Sequence, residues 1–112
     1  MARYRLTARV SGKVTHERFG DLAAALDALE RSGHALQGRA DADAVGGSLM
    51  RRFEPEDLVT ARLEVSGSGA HGGVDIRGDG TSVPFTGRFL RRQVERDSGE
   101  SAYDALRRRL GV

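Results

Sequence analysis

The feature of this sequence that most constrains its fold is a strict alternation of apolar and polar residues in two segments. In residues 3–10 the even positions are tyrosine or aliphatic and the odd positions are arginine or threonine. In residues 59–65 the odd positions are aliphatic and the even positions are polar or charged. Since successive side chains of a β-strand point to opposite faces, both segments are predicted to be half-buried strands. The outer face of the first strand is basic.

Turn signals around these segments predict hairpins. Residues 11–13 form a turn, and residues 14–19 are expected to return as the partner of the first strand. Residues 74–77 alternate as a further strand, and the turn Gly78-Asp79-Gly80 follows because glycine and aspartate tolerate positive φ. The next strand is predicted to carry Val83, Phe85 and Phe89 in phase and to extend to about Val94, with Pro84 marking an edge position or a bulge.

Helical spacing of leucines predicts two helices. Asp21 is a suitable N-cap for a helix over residues 21–32, and Gly33 is a suitable residue to end it. A second helix over residues 101–110 begins with Ser101 in a short variant of the capping box and ends at Gly111. Residues 34–57 are poorly patterned and are predicted to be irregular, with a short strand considered for residues 49–53.

The order of elements, ββα–βββα, predicts a single α+β domain over residues 1–112. We expect a predominantly antiparallel sheet of about five strands with both helices packed on one face. The similarity of residues 6–12 to residues 59–67 leaves a ββα duplication open. The predicted core residues are Leu6, Val10, Leu22, Leu26, Leu29, Leu63, Val65, Ile76, Phe85, Leu106 and Leu110.

Composition narrows the class of protein. The chain has 18 basic and 16 acidic residues, so bulk attraction to nucleic acid is weak and a local patch would have to supply it. The chain contains no cysteine and no run of about 18 apolar residues, so we expect a cytoplasmic protein without a membrane segment. Two short helices cover a five-stranded sheet incompletely, which favours a homodimer or another protein partner.

Local motifs predict no metal and no cofactor. Asp41 and Asp43 begin like a calcium loop, but Val45 stands at the third ligand position and Arg52 at the position of the closing glutamate. The carboxylates of residues 54–57 lie beside a proline in a turn and are expected to be solvated rather than tuned for catalysis.

The three histidines also lack the spacing of a metal site. His34 is expected just beyond a helix end, and His71 is expected to be exposed in the glycine-rich residues 67–73. Those glycines lead into a strand rather than a helix, so they predict a hairpin rather than a phosphate-binding loop. An enzyme would need a pocket that places His16, His34 or His71 within hydrogen-bond reach of a carboxylate.

Arginine is the remaining clue, since 17 of the 18 basic side chains are arginine. GC-rich coding also favours arginine, so this excess has a non-functional explanation as well. We expect a small non-catalytic cytoplasmic accessory or interaction domain. The second hypothesis is sequence-nonspecific nucleic-acid binding, which a cluster of arginines on one face would favour. An enzyme is the third. The candidate residues for nucleic-acid binding are Arg88, Arg91, Arg92, Arg96, Arg107, Arg108 and Arg109.

Overall fold

A computed structural model of the protein describes residues 3–46 and 59–112. Within these residues the chain forms six strands and two helices. In chain order they are β1 (Tyr4–Val10), β2 (Lys13–Phe19), α1 (Leu22–Gly46), β3 (Val59–Gly67), β4 (Ala70–Arg77), β5 (Ser82–Thr86), β6 (Arg92–Gln93) and α2 (Ala102–Leu110).

The six strands form one antiparallel sheet in the order β2-β1-β3-β4-β5-β6. The predicted α+β class is therefore confirmed, with one strand more than the expected five. Neighbouring strands along the chain pair through short turns, and β3 lies beside β1 because the chain passes over the sheet through α1. The turns after β1 and β3 each have two residues with positive φ, which suits the twist of a hairpin. The glycine-rich residues 67–73 thus form a hairpin, as predicted.

The last long strand is shorter than predicted. It ends at Thr86 instead of extending to Val94, because Gly87 turns the chain with φ at +99° and lies against the carbonyl group of Leu90. A side chain at position 87 would collide with that carbonyl group. The chain then returns as the two-residue strand β6.

Helix α1 begins as predicted but does not end at Gly33. The carboxylate of Asp21 accepts a hydrogen bond from the amide of Ala24 at 2.7 Å, which caps the helix. Gly33 is buried inside the helix, where an added Cβ would lie 2.7 Å from Cε1 of Tyr103. Glycine is required here for close packing against α2 rather than for a helix end, and the helix continues to Gly46. The prediction of irregular structure is therefore wrong for residues 34–46, while residues 47–57, including the strand considered at 49–53, lie outside the described residues.

Helix α2 matches its prediction closely. The Ser101 hydroxyl accepts a hydrogen bond from the amide of Asp104 at 3.0 Å, and Gly111 ends the helix with φ at +82°. Tyr103 and Leu106 are buried. These caps fix both ends of a helix of nine residues.

Both helices pack on one face of the sheet, where they enclose one hydrophobic cluster. Most of the predicted core residues are buried there, while Val10, Leu22 and Leu110 lie at its rim and are partly exposed. Phe85 is also buried, but it belongs to the opposite face of the sheet. In the part of the chain that the structure describes, no helix is long and apolar enough to cross a membrane.

Candidate functional site on the open sheet face

The sheet face that the two described helices leave uncovered is polar and basic. Residues that are partners in an antiparallel register point to the same face. The register pairs Arg5 with Ser66, Thr7 with Glu64 and Arg9 with Arg62, and all of these point away from the helices. We call this surface the open face.

Arginines from distant parts of the sequence meet on the open face. The strand register places Arg5, Arg9, Arg18 and Arg62 there. Two more, Arg88 and Arg91, reach it from the segment between β5 and β6. Among the described residues, the register places the carboxylates Glu64 and Asp75 on the same face. These six guanidinium groups minus the two carboxylates leave a formal surplus of four positive charges, to which Arg3, beside Arg5 and Arg18, adds a further one.

Glu64 is the buried centre of this face. Its side chain is 7% exposed, so its charge requires partners. Oε1 accepts from Nη1 of Arg9 at 2.9 Å and from Nη2 of Arg91 at 3.5 Å. Oε2 accepts from Nε2 of His71 at 3.0 Å, which assigns the ring proton to Nε2. Glu64 thereby fixes side chains from three separate segments of the chain.

A second ion pair orders the neighbouring part of the open face. Arg62 donates to both oxygens of Asp75, at 2.6 and 3.1 Å. These hydrogen bonds raise the pKa of Arg62 above its usual value in spite of its partial burial. The guanidinium groups of Arg62 and Arg91 each lie 5.6 Å from the centre of the Phe85 ring. Phe85 is thus buried beneath two cations rather than in the main core.

Two adjoining hollows lie between these arginines. The larger, of about 440 Å³, is lined by Arg5, Arg9 and Arg88 together with polar groups of the central strands and the ring of Phe89. The smaller, of about 220 Å³, is lined by Arg3, Arg5 and Arg18. Ser66 lines both hollows with Arg5. Guanidinium and hydroxyl donors in one concave surface are suited to the oxygens of a phosphate or a carboxylate.

The structure does not bring the seven C-terminal arginines of the sequence prediction together. Arg88 and Arg91 lie on the open face, whereas Arg92 pairs with Thr86 and points to the helix side. There it lines a separate hollow with Arg108 and Arg109. These residues therefore form no single binding surface.

Besides Arg91, two further C-terminal arginines are bound to acidic side chains. Arg107 donates to Glu30 at 2.6 Å, to Asp27 at 2.9 Å and to Asp104 at 3.1 Å. Burial lowers the pKa of Arg107, but the hydrogen bonds to Glu30 and Asp27 outweigh it and raise that pKa overall. Arg108 donates to Glu100 at 3.0 Å. Their positive charges are locally compensated.

Arg96 makes a different kind of contact. Its Nε donates to the backbone carbonyl of Glu100 at 3.0 Å. This bond lies in the loop before α2, and it leaves Arg96 outside the group of arginines on the open face.

The histidines differ from their sequence predictions. His71 is not exposed in a turn: its side chain is 19% exposed and bound to Glu64. His34 does not follow a helix end, since it lies within α1 and packs edge-on against Tyr103 with ring centres 5.0 Å apart. His16 lies on the open face, where its Nδ1 is 3.1 Å from the hydroxyl of Thr7. In the described ranges, no three acidic or histidine side chains are grouped for a metal ion.

Sequence reasoning missed Arg5, Arg9 and Glu64 as site residues. The alternating arginines of residues 3–9 are a signal, but by themselves they predict only an ordinary solvent face. Their meeting with Glu64 depends on the β1–β3 register, which joins residues about 55 positions apart. No protein family model matches this sequence, and no curated protein or solved structure is detectably similar to it.

Proposed function

We propose that the protein is a small non-catalytic binding domain that holds the phosphate backbone of a nucleic acid on its open face. The observation that carries this proposal is the gathering of six arginines on one sheet face, against two carboxylates that are already paired. A surface of this kind binds a polyanion by releasing its counterions and is indifferent to base sequence. This proposal takes nucleic-acid binding, the second choice from the sequence, in preference to an accessory domain with an unspecified partner.

The surface in this proposal differs from the C-terminal cluster that the sequence suggested. Arg5, Arg18 and Arg88 have no carboxylate within ion-pair distance among residues 3–46 and 59–112, so their donors can be directed to a ligand. Arg107 and Arg108 already hold acidic partners. The open face is therefore the better candidate for phosphate contacts.

The Glu64–His71 pair places a histidine within hydrogen-bond reach of a carboxylate beside a hollow, which is the arrangement that an enzyme would need. A structural role explains the pair better. Nε2 of His71 is occupied by Glu64, and Nδ1 is buried with no hydrogen-bond partner in the described structure. His71 lines the larger hollow, but a general base must present a free nitrogen to the reacting proton, and here one ring nitrogen is bound to Glu64 and the other is buried. We propose that the pair positions the arginines.

The test uses two double variants with equal changes of charge. Arg5→Ala with Arg88→Ala removes two charges from the open face, and Arg92→Ala with Arg109→Ala removes two from the helix side. All four side chains are exposed, so both variants are expected to fold. Fluorescence anisotropy with a short labelled oligonucleotide at low salt measures the affinity.

We expect the open-face variant to bind about tenfold more weakly or worse, since a hydrogen bond to a charged group contributes about 1.5 kcal/mol or more. The helix-side variant should bind like the wild type. Equal losses in both variants would contradict the choice of face, and a wild type that binds no nucleic acid would contradict the function.

The partner that the sheet edge supports best is a second copy of the chain. Strand β2 lies at one edge of the sheet, and its seven residues are exposed except for the partly buried Phe19. An exposed edge presents unpaired backbone groups to another strand. Antiparallel pairing of two β2 strands about Thr15 would place Lys13 opposite Glu17 twice, and opposite charges across strands favour pairing.

Such a homodimer would join the two sheets into one. A twofold axis perpendicular to the sheet keeps the two open faces on the same side, so the basic surface would double in length. For the location of the protein we propose the cytoplasm, where a chain without cysteine needs no oxidising environment.

A further inference from the structure

Phe89 is the most exposed large apolar side chain described, at 89%, and it lies on the wall of the larger basic hollow. Its neighbour Arg88 lines the same hollow. The segment therefore places an aromatic face directly beside a guanidinium group. Neither group is used by the core or by the Glu64 ion pairs.

The segment that carries Phe89 is held at both ends. On one side, the amide of Gly87 donates to the carbonyl of His71 at 3.0 Å, and the positive φ of Gly87 sets the turn. On the other side, Arg91 donates to Glu64 and lies over the ring of Phe85. The backbone on either side of Phe89 is thus anchored to the open face, which reduces the freedom that the segment loses on binding.

We infer that the open face binds single-stranded rather than duplex nucleic acid, with one base stacked on Phe89 and the adjoining phosphate held by Arg5 and Arg88. This inference rests on the proposed function and specifies its ligand. In a duplex the base faces are stacked on one another and cannot reach an aromatic ring on a sheet. A single strand offers both a base face and a phosphate within one nucleotide, which is the pairing that the hollow presents.

Substitution of Phe89 should therefore lower the affinity for single-stranded nucleic acid without lowering the affinity for duplex. Stacking contributes about 1–3 kcal/mol per base, which corresponds to about a 5- to 150-fold change in affinity. We expect Phe89→Ala to weaken binding of a single-stranded oligonucleotide by that factor, measured by anisotropy at constant salt. Its affinity for the matching duplex and for inorganic polyphosphate should stay that of the wild type.

Two further variants serve as control and as probe. Leu90→Ala removes the adjacent exposed side chain, 80% exposed, and should leave single-strand affinity unchanged. The chain contains no tryptophan, so Phe89→Trp introduces a single tryptophan whose fluorescence can be excited separately from that of the two tyrosines. Its emission should be quenched by the single strand and not by the duplex or by polyphosphate.

The outcomes distinguish this inference from the proposed function. If the wild type binds duplex and single strand equally, or if Phe89→Ala binds the single strand as tightly as the wild type, the stacking inference is wrong and the phosphate-binding function stands. If the Arg5→Ala and Arg88→Ala double variant also binds like the wild type, the open face is not the binding surface. A wild type that binds none of the three ligands overturns both.

Discussion

A single absent side chain, at Gly33, sets how closely the two helices of this protein approach each other. The ring of Tyr103 occupies the space that a Cβ at position 33 would need, and its hydroxyl donates to Oε1 of Gln37 at 2.6 Å. The sequence alone predicts a helix end at Gly33, because glycine is common at that position of a helix. The contact that requires glycine comes from a residue 70 positions later, and no local pattern reveals it.

Replacement of Gly33 by alanine should destabilise the protein, although alanine is the better helix former. We expect a loss of about 1–3 kcal/mol in the free energy of unfolding, because the added methyl group forces the Tyr103 ring to move. Chemical denaturation measures it.

Gly38→Ala is the matched control for this experiment, since a Cβ at the exposed Gly38 meets no atom within 4 Å among the described residues. It should stabilise the protein by about 0.5–1 kcal/mol through helix propensity. If both substitutions stabilise the protein, the packing of Tyr103 on Gly33 is wrong.

The raised pKa of Tyr103 also makes the stability of the protein depend on pH. Burial, together with the nearby charge of Glu30, raises the pKa of Tyr103 to about 12. A pKa that is higher in the folded state means that the stabilisation is complete below about pH 10, the unfolded value, and is lost as the pH rises toward 12. The difference between the ultraviolet pH titrations of the wild type and Tyr103→Phe isolates this group. Its midpoint should lie near 12, and a midpoint near 10 would contradict the burial.

Elements with a strong local signal were predictable from the sequence, and those fixed by distant contacts were not. Strand β1 and helix α2 follow from alternation, capping and leucine spacing, because these signals lie within the elements themselves. Helix α1 is longer than predicted, since its second half packs through Gln37, whose Nε2 donates to the carbonyl of Gly80 at 2.8 Å. Strand β5 likewise ends at Thr86 because the chain turns at Gly87. The spacing of Val83, Phe85 and Phe89 predicts a longer strand and gives no sign of that turn.

The exposed edge strand β2 leads us to predict that the protein forms a homodimer. We expect light scattering to give twice the chain mass of 12.1 kDa for the wild type. Glu17→Lys would oppose two lysines in each half of the interface and should shift the mass toward the monomer.

The double variant Lys13→Glu with Glu17→Lys restores opposite charges and should restore the dimer. If the wild type has the mass of one chain over a wide concentration range, the protein is a monomer. If the single and double variants behave alike, the strands pair in another register.

Positive and negative charges are distributed unevenly between the two sides of the sheet. The acidic residues that bind Arg107 and Arg108 lie on the helix side, while the open face holds a surplus of arginine. The sequence showed the arginines but not this separation, because the small net charge of +2 conceals it. The residues of the site lie on β1, β2, β3, β4 and the segment after β5, and the fold alone brings them together.

The salt dependence of oligonucleotide binding tests the proposed function most directly. Contacts to about four phosphates predict a slope of about −3 for the logarithm of the single-strand association constant against the logarithm of salt concentration. The Arg5→Ala and Arg88→Ala double variant should make that slope about 1.4 less steep, and the Arg92→Ala and Arg109→Ala double variant should leave it unchanged. A slope near zero in the wild type, or the same change in both variants, would contradict phosphate binding by the open face.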